Sequence, residues 1–245
     1  TISMKIPLNL GLLLGVIILA GVPSVAQQNN KLNVIVLTDI EADPDDTQSL
    51  VRFLMYSNQW NVEGLIATTS IHQKSRVAPE SILKVLEAYK KVQPNLEKHE
   101  SGFPTYDELK GKVKKGLPVY GMEGVGKGKD SEGSDWIVAV LEKNNNDPVW
   151  ISVWGGTNVL AQALWKIRNE KKPAEANRIF SKVRVYTISD QDDSGPWIRK
   201  NFPDLFYIVT PGYNYSQATW IGIAFALPGS NTEVISNEWL AKNIQ

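Results

Sequence analysis

The stretch Val34-Ile35-Val36-Leu37-Thr38-Asp39-Ile40-Glu41-Ala42-Asp43-Pro44-Asp45-Asp46 decides how this chain is read. A short β-branched apolar run ends in five carboxylates within eight residues. The run predicts a buried strand over 33–38, with the carboxylates just past its C-terminal end. In open α/β sheets that edge is where ligands bind. Carboxylates packed this closely repel one another, and a hard cation is the simplest neutraliser.

The same alternation of short apolar runs and amphipathic stretches continues outward. Strands are expected at 62–69, 149–153, 183–188 and 205–209. Helices are expected at 47–56, where Leu50, Phe53 and Leu54 share a face, and at 79–92, where Ile82, Val85, Leu86 and Tyr89 do. Further helices are expected at 134–142 and from about 158 to 169, with a helix start at 236–240. Residues 93–133 are polar and rich in Gly and Lys, and are expected to be mostly loop, with one short helix near 106–113. Strands alternating with helices predict an α/β fold: a mostly parallel sheet with helices on both faces, a three-layer Rossmann-like sandwich. Three polar clusters then follow three strands, 39–46, 154–158 and 189–195, and a parallel sheet brings them to one edge.

Bulk properties exclude several classes. The 245 residues carry 26 basic and 26 acidic side chains, so nothing recommends nucleic acid as a partner. There is no cysteine, which removes disulfides, thiolate metal sites and a cysteine nucleophile. Only two histidines occur, His72 and His99, too few for a His-rich zinc site. At the N-terminus, Met4-Lys5 precedes an apolar run from Leu8 to Val22 and the small residues Ser24-Val25-Ala26. That pattern predicts a signal peptide over 1–26, a secreted or periplasmic protein, and no membrane anchor after cleavage. The run is short for a span of ~20 residues, and no stop-transfer charges follow. Residues 27–245 are then one α/β domain. Its final amphipathic segment has no terminator, so the domain is expected to be C-terminally incomplete.

The acidic loop has simpler readings to beat. As an EF-hand it would need Gly where Pro44 stands and Glu where Leu50 stands. As an aspartyl-phosphate enzyme it would need Asp-x-Asp-x-Thr, but the second acid is Glu41. Asp45 or Asp46 could cap the following helix, though five acids exceed what one cap needs.

Asp39-x-Glu41-x-x-x-Asp45-Asp46 resembles the Asp-x-Asp-x-x-x-Asp-Asp signature of calcium-dependent nucleoside hydrolases. The wider context more closely resembles a divergent branch of that superfamily, the nucleoside-hydrolase-like domain of Sde182-type cellulose-binding proteins. It runs from Leu37-Thr38-Asp39-Ile40 through Pro44-Asp45-Asp46 to Ser49-Leu50-Val51-Arg52. Gly64-Leu65-Ile66-Ala67-Thr68-Thr69-Ser70, Asp130-Ser131-Glu132-Gly133-Ser134-Asp135-Trp136 and Ser189 to Arg199 belong to the same likeness, which spans about 32–245.

The resemblance implies a calcium-dependent hydrolase of N-glycosidic bonds in nucleosides or related sugar compounds. By position Glu41 is the general base, with Asp43 as its alternative. Asp45 binds the ribose, and Asp39, Glu41 and Asp46 serve the metal. A backbone carbonyl of Val153 or Trp154 completes the shell, from a segment that resembles the family's Gly-Pro-Leu-Thr-Asn region. Asn158 lies in that segment as a substrate contact, and an equally open reading makes Thr157 or Asn158 the cap of the next helix. The cluster Asp190-Gln191-Asp192-Asp193 faces the sugar, with Asp192 and Asp193 as its contacts. Trp197 either stacks on the substrate or packs in the core. The chain departs from the family in two places. Ile71-His72-Gln73 stands where an Asn serves the ribose, leaving His72 as a substrate contact or a loop residue. No C-terminal Asp ligand is apparent. A homo-oligomer is implied by the resemblance as well.

Two other functions compete. One is a non-catalytic protein on the same fold that binds carbohydrate or a polysaccharide such as cellulose. The other is a metal-independent glycosidase using two carboxylates.

Overall fold

The sheet is built around the run that opens the sequence. β1 (Leu32–Thr38) pairs in parallel with β2 (Trp60–Ala67) on one side and β4 (Val149–Val153) on the other. β3 (Val113–Lys115) closes the sheet beside β2, and β5 (Val183–Thr187) and β6 (Phe206–Val209) extend it beyond β4. The order is β3-β2-β1-β4-β5-β6, parallel throughout. This computed structural model describes residues 31–143, 145–210, 228–229, 231–233 and 236–243. The expected signal segment 1–26 lies outside the described residues.

β1 reads as a continuous apolar run because both of its faces are covered. Ile35 and Leu37 pack into a core with α4 (Glu132–Glu142), α5 (Asn158–Glu170), α6 (Pro173–Phe180) and α7 (Ser194–Asn201). Val34 and Val36 pack on the opposite face, against α1 (Pro44–Met55), α2 (Pro79–His99) and α3 (Tyr106–Lys110). A last helix, α8, spans Asn237–Asn243. No helix among the described residues is long and apolar enough to cross a membrane.

Several expected boundaries move, each for a local reason. α1 starts at Pro44 rather than 47, since proline at the first helical position loses no bond and has the right φ. Asp43 takes the capping position but makes no side-chain cap bond, while Asp45 and Asp46 fall in the first turn, so neither is the cap. β2 ends at Ala67, leaving Thr68 and Thr69 as buried polar residues beyond it. α2 runs seven residues past 92 and through Pro94. Leu96 still packs on the core, and the Glu97 carboxylate closes the end by accepting from Gly102 N–H (3.0 Å) and Phe103 N–H (3.1 Å). The 93–133 region is less of a loop than its composition suggests. It carries α3 inside a capping box set by Thr105 and Glu108, the edge strand β3, and a 3-10 turn at Gly121–Gly124. α6 and α7 had no counterpart in the sequence reading.

Candidate functional site

The chain leaves β1 toward β2 and β3, then crosses back to β4 on the other side of β1. The carboxyl ends of β1 and β4 therefore flank the point where the strand order reverses, the usual ligand crevice of such sheets. Backbone bonds lace the strand ends together. Trp154 N–H donates to Leu37 O (2.8 Å), Thr68 N–H to Thr38 O (2.8 Å), and Gly156 N–H to Thr69 O (2.8 Å). Ile71 N–H donates to Gln191 O (2.7 Å), tying the loop after β2 to the loop after β5.

A cavity of about 200 Å³ opens at this junction. Asp39, Asp43, Asp45 and Asp46 line it, together with His72, Trp154, Tyr186 and Gln191. Asp39 is 3% exposed and Asp46 7%, which is rare for carboxylates without a cationic partner. Asp46 is anchored by the Thr38 hydroxyl, which donates to its Oδ1 (2.8 Å). Burial first, and then the neighbouring Asp39 carboxylate, push the Asp46 carboxyl up to about 8. Asp45 is raised as well, chiefly by burial. Asp39 Oδ1 and Asp45 Oδ1 are buried with no hydrogen-bond partner. Gly155 lets Asp39 lie this close to the β4 loop, because a Cβ there would sit 2.7 Å from Asp39 Oδ1.

These observations test whether the residues suit a hard cation. Buried, unpartnered carboxylate oxygens beside a backbone carbonyl are the donor chemistry that calcium takes. Among the described residues, however, no three His, Cys, Asp or Glu side chains are gathered so as to hold a metal ion. Asp39 and Asp46 are the buried pair that would hold it, with other oxygens of the cavity completing the shell.

The expected site residues divide clearly. Asp39, Asp43, Asp45, Asp46, His72 and Trp154 meet at the cavity. Glu41 is not among the residues that line it; it is exposed, with φ of 79°, on a turn closed by Ala42 N–H donating to Asp39 O (2.9 Å). Asn158 is a buried knot. Its Oδ1 accepts from Thr68 Oγ1 (2.6 Å), and its Nδ2 donates to Thr69 Oγ1 (3.0 Å) and Val119 O (2.8 Å). Asp192 accepts from Thr157 Oγ1 (3.0 Å), Asn158 N–H (3.1 Å) and both the N–H (3.0 Å) and Oγ (2.5 Å) of Ser194. Burial still raises its pKa, as the leading cause. Asp193 accepts from Met122 N–H (2.8 Å). Trp197 packs edge-on against Phe202 with centroids 5.8 Å apart, under the Arg168 guanidinium. Asn158, Asp192 and Trp197 are taken up by structural partners, exposed Asp193 holds the Met122 turn, and none of the four lines the cavity.

Sequence reasoning passed over Gln191, Tyr186, Ile188, Ser49 and Ala42 as cavity residues. Gln191 stood inside a quoted cluster, but its charged neighbours drew the attention. Tyr186 had a readable signal: in β5 it alternates out of phase with the buried Val183, Val185 and Thr187.

The sequence model of the family described as "Cellulose-binding Sde182, nucleoside hydrolase-like domain" matches residues 33–245. The chain belongs to this family. A solved structure titled as a nucleoside hydrolase-related hypothetical protein from Saccharophagus degradans, associated with carbohydrate metabolism, is 46% identical, with a TM-score of 0.72. The match covers 73% of this chain and 44% of the length of that one. No curated protein matches. The α/β architecture and the nucleoside-hydrolase-like character expected from the sequence both hold.

Proposed function

We propose that the cleft between the ends of β1 and β4 binds calcium and hydrolyses N-glycosidic bonds in nucleosides or related ribosyl compounds. The observation that carries this reading is the buried pair Asp39 and Asp46, with Asp39 Oδ1 unpartnered, on a cavity of about 200 Å³. That volume is below the roughly 300–1,000 Å³ of drug-sized ligand pockets and suits one sugar ring.

Asp39 and Asp46 hold the cation, with the Trp154 carbonyl as a neutral donor. A bound calcium supplies positive charge that eases deprotonation of the attacking water. Asp43 is the general base, because it lines the cavity and Glu41 does not. Asp45 accepts from sugar hydroxyls. Trp154 and Tyr186 offer apolar faces to the sugar ring, and His72 sits at the rim. The expected signal segment would place this activity outside the cytoplasm.

The second reading, carbohydrate binding without turnover, is favoured by the family's description and by the aromatic pair in the cavity. The experiment is sugar release from a nucleoside panel by the purified chain, in calcium and in EDTA. Free ribose is expected in calcium alone. Asp43→Asn should lose it by about 100-fold or more, within the usual span for a general base, and Glu41→Gln should keep it. Calcium binding with no release from any nucleoside would sink the hydrolase reading and leave carbohydrate binding.

A further inference from the structure

We propose that Gln191 is a neutral oxygen ligand of the cation, so that the loop after β5 closes a site whose carboxylates come from the loop after β1. The proposal rests on the cleft being a cation site.

Gln191 lines the cavity and is 6% exposed. Its side-chain Nε2 donates to the Trp154 carbonyl, and its own backbone carbonyl accepts from Ile71 N–H (2.7 Å). Both anchors fix the side chain. With the amide nitrogen committed, the remaining polar atom is Oε1, which is buried and has no partner. A buried amide oxygen left unpaired costs about 1–3 kcal/mol, so this atom needs a donor or a cation. No protein donor reaches it. Gln73 Nε2 donates to the carbonyls of Asp39 and Ile40 (3.4 Å each), and Ser189 Oγ is itself without a partner.

The electrostatics favour a neutral group here. Asp39, Asp43, Asp45 and Asp46 already line the cavity, so a further carboxylate would add repulsion whenever the cation leaves, and an amide oxygen adds none. Calcium takes six to eight oxygens and accepts amide and backbone carbonyls among them. Gln191 Oε1 and Trp154 O offer two such donors from one hydrogen-bonded pair.

The test is calorimetric titration of the purified chain with calcium alone, alongside terbium luminescence sensitised by Trp154, a readout independent of turnover. Gln191→Met keeps the length and removes both polar atoms. It is expected to weaken calcium by about tenfold or more and to dim the terbium signal. Gln191→Glu keeps an oxygen at the position, adds charge, and is expected to bind calcium more tightly than wild type. Should Gln191→Met fail to fold by circular dichroism, Gln191→Glu decides. Folded Gln191→Met binding calcium like wild type would overturn the proposal and leave the cation site standing, as would an unchanged affinity in Gln191→Glu. A wild-type chain that binds no calcium would remove the site itself, and the proposal with it.

Discussion

Replacing Asp46 by Asn should stabilise the cation-free protein while destroying its calcium site. Asp46 is 7% exposed, and burial together with Asp39 holds its carboxyl near 8 against an ordinary 3.8. Keeping that group protonated at pH 7, roughly three pH units above its ordinary range, costs about 4 kcal/mol at ~1.4 kcal/mol per pH unit. A net gain of about 2–4 kcal/mol is therefore expected on removing the charge. Asn retains an Oδ1 for the Thr38 hydroxyl that now donates at 2.8 Å, so no buried donor is stranded. The sign follows from the raised folded-state pKa. The wild-type contribution is fully present below about pH 4 and is lost as pH rises through about 8. Urea denaturation in EDTA between pH 4 and 9 should therefore show wild type losing stability across the window, Asp46→Asn staying nearly flat, and the two converging at the acid end. Saturating calcium should reverse the ranking. At a thousandfold excess over Kd it adds about 4.1 kcal/mol to whichever form binds it, enough to outweigh the advantage of the Asn variant. A wild-type stability that does not change between pH 4.5 and 8 in EDTA, or an Asn variant less stable than wild type at pH 8, would refute the reasoning.

Asp192→Ala strips the acceptor from two hydroxyls and two backbone N–H groups, so a loss of about 3 kcal/mol is expected in chemical denaturation, with calcium affinity of the folded variant unchanged. Gly155→Ala sets a Cβ 2.7 Å from Asp39 Oδ1 and 2.9 Å from its Cβ. It should cost about 1–3 kcal/mol and weaken calcium by calorimetry, and an unaffected calcium titration would place Asp39 outside the metal set. Glu41→Gly relieves a non-glycine φ of 79° and should raise stability by up to about 1 kcal/mol in the same denaturation assay.

The fold was legible because its signals are local and repeat. Val34, Ile35, Val36 and Leu37 announce a strand buried on both faces, and the structure assigns them alternately to the two cores. β3 escaped because Val113-Lys114-Lys115 has neither length nor apolar character, and only pairing with Leu65, Ile66 and Ala67 makes it a strand. α2, expected to end at 92, runs on through Pro94 because Leu96 still packs on the core.

The site was legible to the level of the loop and no further, because residue type does not reveal direction. Glu41 and Asp43 lie two apart in the same acidic run and both are exposed, yet Asp43 lines the cavity and Glu41, on a turn with φ of 79°, does not. At the third cluster, too, charge does not separate ligand contacts from groups that hold the fold. Asp192 and Asp193 looked like sugar contacts, but Asp192 spends its acceptors on α5 and α7, and Asp193 takes the Met122 N–H. A carboxylate beside helix starts and free hydroxyls is satisfied by them before any ligand arrives. Gln191, set between Asp190 and Asp192, lines the cavity and is left with an unpaired buried side-chain oxygen. In a loop whose charged groups are taken up by structural partners, the polar atoms left over belong to neutral side chains, and charge alone does not point to them.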